Sequence, residues 1–254
     1  MKLYRDYIFD LYGTLVDIRT NEKEHALWKR MSLFYGYYGA PYMPEELEAA
    51  YGALVLAKEK GAESREKKSG ENGKLYAHES YPEISIEEVF RELYTERGVD
   101  PPEELVVHTG QMFRALSTRH LRLYAGAKEL LRKLHEKGRR VYLLSNAQRI
   151  FTERELRYLQ IEDCFDGILI SSDYGVKKPD AEFFRILTEK YRIEPGNALM
   201  IGNDPDSDIA GAKRAGMDTF YIHSAISPKN GRKPDADYRM MKMDLRNLCR
   251  QLMP

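Results

Sequence analysis

One stretch near the start of the chain constrains the fold more than any other. The aromatic and β-branched residues 7–9 lead directly into Asp10, and Gly13 then interrupts the apolar pattern. An uninterrupted apolar run of this length is typical of a strand buried on both faces of a parallel sheet. Such sheets bind ligands beyond the carboxyl ends of their strands. The pattern therefore predicts a carboxylate at the ligand-binding edge, beside a glycine turn and the hydroxyl of Thr14.

After about Leu123, short apolar runs alternate with segments of helical periodicity. We predict strands over 141–144, 168–170, 198–201 and 219–222, and helices over 128–136, 152–159, 181–191, 209–215 and 243–252. This alternation is typical of a doubly wound parallel sheet, because each parallel strand needs a crossover connection. The chain is therefore predicted to be an α/β protein, with residues 1–17 and 122–254 in a Rossmann-like core.

Between these two parts of the core, the sequence predicts helices without an intervening strand. Helical spacing of apolar residues predicts helices over about 21–38, from 44 onward, from 86 onward and over about 101–117. Ser85 and Glu88 form a capping-box pattern for the third of them. Residues 58–80 are rich in Lys, Glu, Ser and Gly, which predicts a frayed helix end and a mobile loop. These features predict an inserted α-helical module over residues 18–121.

Composition narrows the range of partners. The 254 residues include 40 Lys plus Arg and 40 Asp plus Glu, so no net charge attracts the chain to nucleic acid or to an anionic membrane. We find no apolar run near the roughly 18 residues that a membrane helix needs, and no signal-peptide pattern, so we expect a cytoplasmic protein. Cys164 and Cys249 are far apart and are predicted to be reduced core residues. The sequence does not indicate an oligomeric state.

Polar side chains follow four of the predicted strands. Asp10 ends the first strand, Ser145 and Asn146 end another, Lys178 precedes a helix, and residues 203–208 hold three carboxylates and an amide. The hydroxyl and amide can donate to an anionic oxygen, the lysine can neutralise an anion, and concentrated hard oxygens suit Mg²⁺. Singly, each cluster also fits a turn, an exposed lysine or a helix N-cap. In order at successive strand ends, they predict one site.

With these four clusters in this order, the sequence resembles the haloacid dehalogenase superfamily along essentially its whole length. Residues 10–17 are similar to that family's first motif, and Ser145 is similar to its second. Lys178 is similar to the third motif and residues 203–208 to the fourth, while the inserted module corresponds to a helical cap domain. In most members the aspartate at the position of Asp10 attacks phosphorus, and water then hydrolyses the aspartyl-phosphate. The resemblance thus implies a Mg²⁺-dependent phosphatase of a small phosphorylated metabolite.

The resemblance also implies roles for the other site residues. Thr14 and Ser145 would hold phosphoryl oxygens, with Asn146 beside them, and Lys178 would orient Asp10 and offset its charge. Tyr12 occupies the position of the family's acid/base residue. The implied metal ligands are all oxygen donors, namely Asp10, the main-chain carbonyl of Tyr12, Asp208 and either Asn203 or Asp204.

Two residues depart from the family pattern. Tyr12 stands where most members carry a second aspartate, and loss of a positioned acid/base typically lowers a rate about 10²- to 10⁴-fold. Asn203 stands where the fourth motif commonly has its first aspartate. The 2-haloacid dehalogenases of the family also carry a tyrosine at the Tyr12 position and use an arginine near the start of the cap, for which Arg19 and Arg30 are available. The alternatives are therefore a dehalogenase, which the acidic fourth motif disfavours, and a catalytically degenerate binding protein.

Overall fold

The structure, a computed structural model, describes residues 1–69, 81–228 and 234–253. Its strands, in chain order, are β1 (Asp6–Phe9), β2 (Val16–Thr20), β3 (Thr118–Leu123), β4 (Arg140–Ser145), β5 (Gly167–Ile170), β6 (Ala198–Gly202), β7 (Asp218–Ile222) and β8 (Tyr238–Met240). Within the described residues, six of these strands form a parallel sheet in the spatial order β5-β4-β1-β6-β7-β8. The predicted Rossmann-like α/β core is therefore confirmed.

The α-helices, in chain order, are α1 (His25–Tyr37), α2 (Pro44–Ser69), α3 (Ile86–Thr95), α4 (Glu103–Ser117), α5 (Ala127–Glu136), α6 (Arg149–Tyr158), α7 (Ala181–Tyr191), α8 (Gly211–Arg214) and α9 (Leu245–Leu252). A short π-helical turn, Pro205–Ala210, leads into α8. No helix within the described part of the chain has the length and apolar character needed to cross a lipid bilayer.

Alternate residues of β1 contribute to two apolar layers. Tyr7 and Phe9 pack in a layer with apolar side chains of α5 and α9, whereas Ile8 packs in a layer with α7. Helices thus cover both faces of the sheet, and every residue of β1 is buried. This explains why the strand reads as a continuous apolar run rather than as an alternating one.

Helices α1–α4 share an apolar cluster of their own, rich in aromatic rings. The ring centroid of Phe113 lies 5.7 Å from that of Trp28 and 5.4 Å from that of Phe90. Ile150 and Phe151 of α6 belong to the same cluster, so the inserted helices pack onto the core through α6. The boundaries of this insertion, at residues 18 and 121, stay a prediction.

The sequence analysis missed two features of the sheet topology. An antiparallel ribbon of β2 and β3 flanks the inserted helices and runs across both predicted boundaries. These two strands contain polar, partly exposed residues, so they lack the apolar run that is typical of a buried strand. The edge strand β8 has only three residues, which is too short for a periodicity to emerge.

Helix α2 ends at Ser69, within the segment predicted to hold a helix end, and the rest of the predicted loop lies outside the described residues. One local prediction in the inserted helices was wrong. Ser85 is the N-cap residue of α3, but its hydroxyl donates to Glu87 Oε2 at 3.0 Å and does not form the capping box. The main-chain N–H of Ile86 donates instead to Gln148 Oε1, also at 3.0 Å. A side chain from the loop before α6 therefore replaces the expected local cap.

Candidate active site

Asp10 lies where the carboxyl end of the central strand meets the ends of its two neighbours. Phe9 of β1 is in register with Leu143 of β4 and with Ile201 of β6. Ser145, at the end of β4, and Asn203, just after β6, therefore lie on the two strands that flank Asp10. Asp10 is thus close to residues that are more than a hundred positions away in the sequence.

The ammonium of Lys178 joins two carboxylates in this site. Its Nζ lies 2.8 Å from Asp10 Oδ1 and 2.7 Å from Asp208 Oδ1, and the lysine side chain is 1% exposed. Burial disfavours the charged ammonium, but the two carboxylates outweigh this effect and raise the pKa of Lys178 above its usual range. Lys178 is therefore a fixed positive charge at the bottom of the site.

Both carboxylate oxygens of Asp208 accept hydrogen bonds. Oδ1 accepts from Lys178, and Oδ2 accepts from the main-chain N–H of Asp204 at 3.0 Å. Burial raises the pKa of Asp208 to about 6, although the adjacent ammonium acts in the opposite direction. With both carboxylates ionised, Asp10, Asp208 and Lys178 together carry one net negative charge. A phosphate dianion would be repelled by this cluster unless a further cation were bound.

A glycine allows Asn203 to approach the first motif closely. Gly13 has a φ of +88°, and a Cβ at this position would lie 2.5 Å from Asn203 Nδ2. Asn203 Nδ2 lies 3.4 Å from each of the hydroxyls of Ser224 and Ser227. Its Oδ1 lies 3.4 Å from Thr14 Oγ1, which donates to Asp10 Oδ2 at 3.2 Å. The amide of Asn203 thus turns its oxygen toward the Asp10 side of the site.

Ser145 and Asn146 lie at the end of β4 but differ in their partners. Ser145 Oγ is buried and has no hydrogen-bond partner among the described residues. Because a buried hydroxyl without a partner costs about 1–3 kcal/mol, this position suits a donor to a ligand oxygen. Asn146 Nδ2 donates to the main-chain carbonyl of Lys178 at 2.8 Å, and Asn146 Oδ1 accepts from the main-chain N–H of Lys178 at 2.7 Å. Asn146 therefore positions Lys178, which differs from the ligand-donor role predicted for it.

Asp204 caps the turn that follows β6. Its Oδ1 accepts from the main-chain N–H groups of Asp206, at 2.8 Å, and Ser207, at 3.1 Å. Side chains in this position satisfy the unpaired donors at the start of a helix. Since the carboxylate of Asp204 is used for this purpose, Asn203 is the better candidate for a ligand beside Asp10 and Asp208.

The hydroxyl of Tyr12 takes part in a polar network between the core and the inserted helices. It lies 3.0 Å from Thr152 Oγ1 and donates a short hydrogen bond to Glu155, both on α6. Glu155 Oε1 accepts from Nε of Arg114, on α4, at 2.6 Å. Burial and the Glu155 carboxylate raise the pKa of Tyr12 far above its usual range. The phenol is therefore held protonated, and it donates its hydrogen bond to Glu155.

Sequence reasoning missed Glu155 and Arg114. Glu155 lies on the buried face of α6 together with Ile150, Phe151 and Leu156. A carboxylate on an otherwise apolar helix face is a signal for a buried partner, because an unpaired charge there is costly. The identity of that partner is not encoded locally, since Arg114 is 41 residues away.

We expect Glu155→Ala to lower the free energy of unfolding by about 2–3 kcal/mol, because it leaves Arg114 and Tyr12 without their carboxylate partner. The matched control is Glu153→Ala, on the same helix, whose carboxylate pairs with Arg157 at the surface. An exposed pair of this kind contributes at most about 1 kcal/mol. Urea denaturation of both variants measures the difference, and equal small losses would contradict a structural role for the network.

The donor set around Asp10 fits a hard divalent cation. No three His, Cys, Asp or Glu side chains converge on a metal position in the described ranges. Asp10 and Asp208 supply two carboxylates, and the amide oxygen of Asn203, next to Thr14 and Asp10, is a third hard donor. These are the ligand types that Mg²⁺ takes from proteins, with water completing its coordination.

The chain matches the sequence model of haloacid dehalogenase-like hydrolases over residues 6–216. This protein belongs to the haloacid dehalogenase-like hydrolase family. The match covers the site residues from Asp10 to Asp208. The family resemblance drawn from the four motifs is thereby confirmed, as is the assignment to the hydrolases.

Curated relatives of this hydrolase include several that are named as phosphatases. It is 33% identical over 103 residues to a glyceraldehyde 3-phosphate phosphatase of Pyrococcus abyssi, a match that covers 41% of this chain and 43% of the relative. It is 29% identical over 162 residues to a phosphoserine phosphatase of Thermus thermophilus, covering 64% and 63% respectively. The chain thus spans less than two thirds of the length of these relatives.

Solved structures of family members share the fold. A HAD hydrolase from Bacillus subtilis bound to magnesium superposes with a TM-score of 0.54 at 24% identity, covering the whole of both chains. A 2-haloacid dehalogenase from Pseudomonas syringae pv. Tomato superposes with a TM-score of 0.63 at 18% identity, covering 98% of this chain and 99% of the other. Since both kinds of hydrolase share this fold at low identity, the site must distinguish between their reactions.

Proposed function

We propose that this hydrolase is a Mg²⁺-dependent phosphatase that acts on a small phosphorylated metabolite through covalent catalysis at Asp10. The observation that carries the proposal is the buried Lys178 ammonium, which contacts both Asp10 and Asp208. This contact holds the Asp10 carboxylate in one orientation at a strand end, as a nucleophile requires. The phosphatase-named relatives support the same reaction class.

Each site residue has a separate role in the proposed phosphoryl transfer. Asp10 forms the new bond to phosphorus while the bond from phosphorus to the leaving oxygen breaks. The hydroxyl of Ser145, which has no partner among the described residues, and the hydroxyl of Thr14 would donate to phosphoryl oxygens, and Lys178 would offset negative charge. Water then attacks phosphorus, which releases phosphate and restores the Asp10 carboxylate.

Asp10, Asp208, Asn203 and the main-chain carbonyl of Tyr12 would hold Mg²⁺. When bound, the ion neutralises the excess negative charge of the site and screens the approach of a phosphate dianion to Asp10. We assign Asn203, and not Asp204, to this set because Asn203 Oδ1 lies 3.4 Å from Thr14 Oγ1, which itself donates to Asp10, whereas Asp204 Oδ1 caps the following turn.

This assignment predicts different metal responses for two neighbouring variants. Asn203→Ala should raise the Mg²⁺ concentration for half-maximal activity by at least about tenfold, since it removes a ligand. Asp204→Asn should leave that concentration near the wild-type value, because asparagine is also a good N-cap. Activity titrations with Mg²⁺ measure both, supported by the stabilisation against heat that the ion gives to each variant. If Asp204→Asn were the variant that lost its response to Mg²⁺, the assignment would be wrong.

We also propose that the inserted helices form a cap that shapes the substrate space. A cavity of about 650 Å³ lies between α4 and α6, with a mixed lining that includes Arg114, Arg154, Phe151 and Tyr158. It adjoins the Tyr12 network, because Arg114 and Glu155 line it as well. A cavity of this size and character suits the non-phosphate part of a small metabolite. The cytoplasmic location stays a prediction from the sequence.

One observation favours a 2-haloacid dehalogenase as the second candidate. Arg114 is a partly buried arginine of the inserted helices, and its guanidinium carbon lies 5.7 Å from the centroid of the Tyr12 ring. Arg114 is neither Arg19 nor Arg30, the two arginines that the sequence made available for the arginine of a dehalogenase. Glu155 already neutralises Arg114, however, and the net negative charge around Asp10 opposes a haloacid carboxylate. We therefore rank this activity below phosphate hydrolysis.

The proposal is tested by hydrolysis of an aryl phosphate with Mg²⁺ and with EDTA, with Asp10→Asn as the blank. We expect phosphate release that requires both Mg²⁺ and Asp10. In parallel, chloride release from 2-chloropropionate tests the second candidate. Halide release without phosphate release would replace the phosphatase by a dehalogenase, and absence of both would favour a binding protein on a degenerate scaffold.

A further inference from the structure

We propose that the substrates of this site carry phosphate on a leaving group that departs without a proton, such as the carboxylate of an acyl phosphate or an acidic phenolate. This inference rests on the proposed phosphatase function and defines its substrate class. The side chain at position 12 normally supplies the leaving-group proton in this family, so the surroundings of Tyr12 decide whether such a proton is available.

The hydrogen bonds of the Tyr12 hydroxyl oppose its use as the proton donor to a leaving group. It donates to Glu155 and contacts Thr152, and Arg114 holds the same carboxylate from the other side. Donating to a leaving group would require the phenol to abandon Glu155, whose side chain is only 8% exposed. Leaving a buried carboxylate with one partner fewer is unfavourable. The network therefore keeps this proton away from the reaction.

The groups in direct contact with the Asp10 carboxylate do not replace the missing acid. Within the described residues, these contacts are made by Lys178 Nζ and by Thr14 Oγ1. Lys178 Nζ already donates to two carboxylates, and an aliphatic hydroxyl is too weak an acid to protonate a leaving oxygen. Asp208 uses one oxygen to accept from Lys178 and the other to accept from a main-chain N–H. These contacts therefore supply no leaving-group proton, and a leaving group that is stable as an anion does not need one.

The two steps balance without a protein acid. An oxygen of Asp10 forms a bond to phosphorus, the bond to the leaving oxygen breaks, and that oxygen keeps the electron pair as a carboxylate or phenolate. In the second step, the oxygen of water bonds to phosphorus and the electron pair of the breaking bond returns to Asp10. The proton of water passes to solvent or phosphate, because neither group that contacts the Asp10 carboxylate within the described residues, Lys178 Nζ or Thr14 Oγ1, is a base. The second step is then slow, and the phosphorylated form of Asp10 accumulates.

The test is a series of phosphate esters whose leaving groups differ in acidity, together with acetyl phosphate and an alkyl phosphate. We expect kcat/KM to fall at least about 10³-fold from the most acidic leaving group to the alkyl alcohol. We expect kcat to be the same for all reactive substrates, preceded by a burst of product equal to the enzyme present. Similar kcat/KM values for aryl and alkyl phosphates would overturn the inference.

Two variants at position 12 sharpen the test. Tyr12→Asp places a carboxylic acid at the family's acid/base position, so it should raise kcat/KM for the alkyl phosphate at least about tenfold and remove the burst. Tyr12→Phe should retain the steep dependence on the leaving group, because the lost hydroxyl donates to Glu155. If Tyr12→Asp does not fold, Tyr12→Phe still decides, since a steeper dependence in that variant would identify the phenol as the acid and overturn the inference.

The outcomes also separate this inference from the proposed function. Asp10-dependent hydrolysis with no dependence on the leaving group would retain the phosphatase and reject the substrate class. Failure of every phosphorylated compound, with wild type indistinguishable from Asp10→Asn, would reject the phosphatase itself.

Discussion

Replacing Asp10 with asparagine is expected to reduce turnover at least about 10³-fold while the protein remains folded, because an amide is not a nucleophile toward phosphorus. The side chain keeps its shape, and its oxygen can still accept from Lys178. The change also removes one of two buried carboxylates, so we expect no loss of stability. Steady-state hydrolysis of an aryl phosphate and urea denaturation measure the two effects.

A matched aspartate provides the control for this variant. Asp17 lies seven residues further on, in the β2–β3 ribbon, where its carboxylate accepts from Arg122 at 2.7 Å and pairs with His120. Asp17→Asn removes the same charge from a surface ion pair, which should leave the rate near the wild-type value. Comparable rates in Asp10→Asn and Asp17→Asn would show that Asp10 does not carry the reaction.

Removal of the Lys178 ammonium is expected to have the largest effect on stability. Lys178→Met leaves Asp10 and Asp208 buried without their shared cation, and breaking a buried pair in this way typically costs about 3–5 kcal/mol. Activity should fall as well, because the nucleophile loses the contact that orients it. Urea denaturation measures the stability loss, and aryl phosphate hydrolysis by the folded fraction measures the rate.

The adjacent lysine is the control for that experiment. Lys177 Nζ lies 3.8 Å from Glu83 Oε1 and its side chain is 35% exposed. Lys177→Met should change the free energy of unfolding by no more than about 0.5 kcal/mol. If both lysine variants were equally stable, the buried cluster would not contribute as the geometry indicates.

The strands that carry the site were predictable because their buried residues form apolar runs in the sequence. β1 and β6 are buried along their whole length and β4 is buried from Val141 onward, so each contains an apolar run with a polar residue at or just beyond its end. The carboxyl ends of neighbouring parallel strands meet at one edge, which brings Asp10, Ser145 and Asn203 together. The β2–β3 ribbon escaped prediction because its pairing spans the whole helical insertion and its side chains are partly exposed.

The partners of the site residues were not predictable in the same way. Tyr12 and Glu155 are 143 residues apart, and nothing local to either specifies their hydrogen bond. Asn146 offers the same amide whether it faces a ligand or, as found, the main chain of Lys178. The choice between Asn203 and Asp204 depends on a cap that forms only once the turn has folded. Residue types therefore predicted the site, and tertiary contacts decided how each residue is used.

Covalent catalysis at Asp10 is tested most directly by detecting a phosphoryl group on this residue. The enzyme is mixed with an aryl phosphate, quenched in acid during turnover and digested, and the peptide that contains Asp10 is weighed by mass spectrometry. We expect the mass of one added phosphoryl group with Mg²⁺ present, and none with EDTA or in Asp10→Asn. Phosphate release by an enzyme whose Asp10 peptide is never modified, or a modification that persists in Asp10→Asn, would contradict covalent catalysis at this residue.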